Sequence, residues 1–134
     1  MADAVTSQTI QDGERKAILK FTNISDGSGE AAVTKIDVSD MAANSAGKAC
    51  TEVTVGKIWW QCVGMGVSLL NDATADTLII GLSPDSNGYH DYSEFSGIPN
   101  NAGDGKTGDV QFTTIGASSG DTYTVIVEVL KTYG

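Results

Sequence analysis

Between Arg15 and Ile24 the side chains alternate in character: Ala17, Leu19 and Phe21 are apolar, while Lys16, Lys20 and Thr22 are polar. That period of two belongs to an extended strand with one dry and one wet face. No segment holds apolar residues at i, i+3, i+4 and i+7 over three turns, so a long amphipathic helix is not expected. Asp-Gly, Ser-Gly and Asn-Gly pairs punctuate the chain, and its 16 glycines favour turns over helix interiors. The pattern predicts an all-β fold.

Strands are expected over Ala4 to Gln11, Arg15 to Ile24, Ala32 to Val38 and Thr51 to Cys62, the last with a β-bulge at Gly56. In that strand Val53, Val55 and Trp59 are assigned to one side and Ile58 and Trp60 to the other, which predicts cover on both faces. Gly66 to Leu70 and Thr77 to Leu82 flank the polar turn Asn71 to Asp76 as a hairpin. Ser83 to Gly108 reads as irregular, and Ser39 to Lys48 as a loop with room for one helical turn. Asp109 to Ile115 and Thr122 to Lys131 are expected to close the fold as a second hairpin, with Tyr123, Val125, Val127 and Val129 on one face. About eight strands at this spacing predict an antiparallel β-sandwich or jelly roll.

At 134 residues the chain has the length of a single domain, residues 1–134. Its formal charge of −9 repels phosphate backbones and anionic lipid, so nucleic acid and membrane are not expected partners. No apolar run of about 18 residues is present to span a bilayer as a helix. The opening Met1-Ala2-Asp3-Ala4-Val5-Thr6 lacks the basic and apolar regions of a signal peptide, which predicts use without secretion. The sequon Asn23-Ile24-Ser25 is accordingly read as chance. Cys50 and Cys62 fall at the two ends of one extended segment, too far apart for a disulfide, and are expected to be free thiols.

Gly105-Lys106-Thr107 has the look of a phosphate-binding loop, but the motif needs a glycine at position 100, where Asn100 stands. It also needs a helix to follow, and a strand is expected instead; the stretch is read as a turn. Asp85, Asn87, Asp91 and Glu94 gather oxygen ligands in one loop, yet Gly88 and Glu94 occupy positions 4 and 10 of a loop that an EF-hand would mark at 6 and 12. The expected state is a solvated acidic loop. His90, the only histidine, has Ser86, Asp91 and Ser93 near it, but no Gly-x-Ser-x-Gly elbow surrounds a serine. Two cysteines and one histidine do not make a zinc site. No catalytic residue, metal or cofactor is assigned.

The candidate interaction residues are aromatic. Trp59 and Trp60 are adjacent, so a strand points one ring to each face, either into the core or onto a partner as an anchor. Tyr89, Tyr92 and Phe95 lie in a loop that a small domain need not furnish with rings, and His90 among them suits a surface or interface hydrogen bond.

Four phrases, "TIQDGERKAILKFTNISDGSG", "VTKIDVSDM", "VSLLNDATADTLIIGLS" and "GIPNNAGDGKTGDVQFTTIGASSGDTYTVIVEVLK", cover most of the chain. In their order they resemble small capsid decoration or cement proteins of tailed bacteriophages, virion structural components. The resemblance implies a β-sandwich or jelly-roll subunit on the capsid exterior, a homotrimer that clamps neighbouring major capsid proteins. It carries no catalytic motif. Residues 1–9 are read as an N-terminal arm that adds an edge strand to a neighbour. The alternative expectation is a tail or fibre module that stacks host surface glycans on the rings of the Ser83 to Asn101 loop.

Overall fold

A computed structural model describes residues 4–92, 94, 97–98 and 100–133. Nine strands appear among them: β1 (Ala4–Asp12), β2 (Lys16–Ile24), β3 (Val33–Ile36), β4 (Cys50–Val63), β5 (Gly66–Asn71), β6 (Thr77–Leu82), β7 (Asn87–Asp91), β8 (Val110–Ile115) and β9 (Thr122–Tyr133). They form a five-stranded sheet, β1-β2-β9-β4-β7, and a four-stranded sheet, β3-β8-β5-β6, with every pairing antiparallel. Among the described residues no helix is long and apolar enough to cross a membrane.

The pairing is nested. The β5–β6 hairpin lies innermost, then β4 with β7, β3 with β8, and β2 with β9 outermost. Successive layers of this long hairpin alternate between the two sheets, and the β4–β9 and β5–β8 ladders close each sheet. This is jelly-roll topology with β1 added at an edge.

Alternation explains the core. Ala17, Leu19 and Phe21 from β2 and Tyr123, Val125, Val127 and Val129 from β9 bury against Val67, Leu69 and Phe112 of the other sheet. Phe21 meets Phe112 edge-on with ring centroids 5.2 Å apart, a geometry that sets a positive ring edge against a negative face. Cys50 and Cys62 are buried free thiols at opposite ends of β4. Burial pushes the Cys62 thiol up to about 11, so it stays protonated and a poor nucleophile at neutral pH.

Three expectations need correction. Val55 and Lys57 bracket a register shift, so the bulge at Gly56 is real and it reverses the phase of β4. Val53, Val55, Ile58 and Cys62 therefore all face the core, with Trp60 packed beside them, and Trp59 turns outward. Among the described residues no second layer of strands covers that outward face. Residues 83–108 are not wholly irregular, since β7 lies within them. Finally, β8 and β9 do not form a hairpin. Their apolar faces approach the core from opposite sheets, so the connection rounds the sandwich edge, held where Gly120 N–H donates to Ser25 O at 2.8 Å. The helical turn expected after residue 38 is a 3-10 turn, Val38–Asp40, capped by Asp37 accepting from Ser39 N–H at 2.9 Å.

Candidate interaction site

The rings singled out by the sequence converge on the β4–β7 ladder. Trp59 pairs with Tyr89, Trp60 with Gly88 and Ile58 with His90. Because side chains alternate, this places two ring systems on opposite faces of one sheet edge.

On the outer face Trp59 stacks on Tyr89, centroids 5.2 Å apart and planes 25° from parallel. Tyr89 is 47 % exposed. Ile126 of β9 continues the same row across the sheet, opposite Trp59. The next row is polar, with Thr124, Gln61 and Asn87 in register. Trp59, Gln61, Thr124 and Ile126 wall a shallow concavity of about 190 Å³ with Gly88 beside it.

On the inner side the rings run from Trp60 to His90, 5.0 Å between centroids, and on to Tyr92, 5.8 Å further. Gly88 gives this run room: a Cβ there would lie 3.1 Å from Cζ2 and Cη2 of Trp60, so the indole would have to give by a few tenths of an ångström. The indole Nε1–H donates to Ser86 Oγ at 3.1 Å, and Ser86 Oγ–H donates onward to Ser83 O. Tyr92 N–H donates to Gly56 O at 2.6 Å, so the bulge also anchors the segment that follows β7. Burial raises the Tyr92 phenol above its ordinary value. Of the six candidate residues five come together here; Phe95 lies outside the described residues.

Charge is unevenly spread. Lys16, Lys20 and Lys57 on the outer face of the five-stranded sheet balance Glu52, Asp91 and Glu128 on that face, with Lys16 3.6 Å from Glu128. Among the strand residues the charges on this face cancel, three of each sign, in a chain of −9. That balance is not legible in the sequence, because it needs the register to place Lys16 and Lys20 of β2 on one surface with Lys57 of β4.

The other motifs are occupied locally. Thr107 Oγ1–H donates to Asp72 at 2.9 Å and Lys106 lies 3.5 Å from Glu52, while Gly105, at φ 76°, turns the chain toward β8. Asp85 accepts from Gly64 N–H at 2.7 Å. Among the described residues no three acidic, histidine or cysteine side chains gather as metal ligands.

No protein-family model and no curated protein matches the chain. Among solved structures it is similar to a cupin superfamily protein from Desulfitobacterium hafniense, at 12% identity and a TM-score of 0.35, over 98% of this chain and 80% of that one. A family 29 carbohydrate-binding module matches at 10% identity and a TM-score of 0.39, over 96% and 92%. The polyketide cyclase RemF from Streptomyces resistomycificus matches at 11% and 0.32, over 96% and 66%. Likenesses at these TM-scores carry no argument about function.

Proposed function

We propose that the chain is a structural virion protein, a decoration or cement subunit that seats on the exterior of a tailed-phage head and clamps neighbouring major capsid proteins. One observation carries the reading: the Trp59–Tyr89 stack, half-buried at Trp59 and exposed at Tyr89, lies on a charge-balanced face of an otherwise acidic molecule. Large rings of few rotamers supply most of the energy at protein interfaces, and a neutral face lets them approach a partner without repulsion. The acidic remainder of the surface keeps such subunits from packing on one another at random.

Co-sedimentation with shells stripped of the subunit tests this. Wild-type chain pellets with the shells, and Trp59→Ala with Tyr89→Ala weakens binding by about tenfold or more while the melting curve of the free protein stays cooperative. Undiminished binding by the double variant overturns the reading.

A second reading, a module for host surface glycans, is favoured by the concavity beside Trp59, where Gln61 and Thr124 offer hydrogen bonds next to an aromatic ring. Glycan-array binding that Tyr89→Ala abolishes would select it over shell binding.

A further inference from the structure

We propose that β1 is the edge by which two copies of this chain pair, antiparallel and about a two-fold axis normal to the sheet, joining their five-stranded sheets into one. Among the described strands β1 is hydrogen-bonded on one side only, to β2, and it packs substantially on no other element. All nine of its residues are exposed. It overhangs the four-stranded sheet, where a cavity of about 140 Å³ opens between Ser7 and Thr9 on one wall and Lys35 and Met41 on the other. Little burial within the chain therefore holds this strand in place.

An edge strand presents a row of outward N–H and C=O groups to any strand that approaches, and proteins usually blunt such rows with charge, proline, bulges or brevity. The other edges here are blunted. β3 has four residues and carries Lys35, β6 has a register shift within its ladder, and β7 is a five-residue strand ending in Asp91. Ala4 to Thr9 has no charge, no proline and no glycine, and its register is regular until the shift between Thr9 and Gln11. Six consecutive residues thus form an unguarded edge.

Charge identifies the occupant. Two copies at −9 each repel over most approaches, but the strip from Ala4 to Gln11 is uncharged, so β1 meeting β1 brings two neutral strips together. A basic partner would be drawn instead to the acidic loops. A two-fold axis normal to the sheet keeps like faces on the same side, so the Thr6 and Gln8 rows meet across the axis. Threonine pairs across a ladder are favourable, and like charges there are not.

This contact makes a dimer and departs from the three-fold arrangement that the resemblance implies. It is independent of the proposed shell docking, which uses the β4–β7 edge at the far side of the same sheet. Sedimentation velocity over a concentration series tests it on the full chain. The wild type passes from monomer to dimer, and Thr6→Lys with Gln8→Lys raises the dissociation constant by about tenfold or more with unchanged far-ultraviolet dichroism. Hydrogen exchange of the wild type gives a check free of mutation: amides in residues 4–11 gain protection as concentration rises. A monomer at all concentrations, a trimer, or exchange in 4–11 that ignores concentration overturns the proposal. A wild type that binds shells but never pairs condemns this proposal alone, and a wild type that pairs but does not bind shells condemns the docking reading alone.

Discussion

The Glu30 carboxylate, its side chain only 7% exposed, pairs with Lys35 at 2.5 Å. It also accepts from the Asn23 amide at 2.9 Å and from the Tyr123 hydroxyl at 2.6 Å. One side chain thus ties the loop after β2 to β3 and β9. Removing it leaves the Lys35 ammonium, 9% exposed, without its counter-charge, and breaking a buried pair from one side costs about 3–5 kcal/mol. Glu30→Ala is expected to lose stability of that order in urea unfolding. The pair replacement Glu30→Leu with Lys35→Met should recover much of it, since removing both charges removes the uncompensated one. A single-variant loss below about 1 kcal/mol would show the pair to be solvated. Nothing in the local sequence marks Glu30 as buried, because its partners are 5, 7 and 93 positions away. Gly56 is the converse case. The bulge is legible in the sequence, but the reversal of direction it imposes shows only in the ladder register, and that reversal puts Trp59 on the outer face, opposite to Val53 and Val55.

At the scale of elements, β2 and β9 were legible because every second residue along most of each is apolar and buried, and both lie inside the sheet. β7 was not. Asn87, Gly88 and Asp91 break any apolar period, all five residues are exposed, and the strand exists through its ladder and ring contacts with β4. The end of β9 is tied to the β1–β2 turn by Lys131, whose buried side chain donates to the Asp12 carboxylate and to Gly13 O at 2.7 Å. Tyr133 reinforces the tie by donating to Glu14 O. Burial pushes the Asp12 carboxyl up, but hydrogen bonds from Lys131 and the Ala42 N–H outweigh it and hold the group below its ordinary 3.8. A carboxylate depressed by folding contributes stability above its unfolded value, and that contribution is lost as pH falls through the folded one. Asp12→Asn should therefore lower Tm by several degrees near neutral pH. The gap to wild type should close in strong acid, as thermal melts across a pH series would record. A gap that is constant with pH would assign the effect to packing rather than charge.

For the whole molecule, turn spacing and alternation led to a two-sheet sandwich or jelly roll, and the nested pairing realises the jelly roll. Sequence proximity misassigned the closing hairpin, since it cannot distinguish a turn within a sheet from one that rounds the sandwich edge. The neutral outer face was likewise illegible, being assembled from β2, β4, β7 and β9 only once register is fixed. Topology thus collects a ring stack and balanced charges on one broad surface of an acidic molecule, the surface proposed to grip the shell. A cryo-EM map of the intact particle tests that most directly. It should place the subunit outside the head with Trp59 and Tyr89 against the major capsid protein. A subunit found in the tail, or seated on the head with those rings facing solvent, would contradict it.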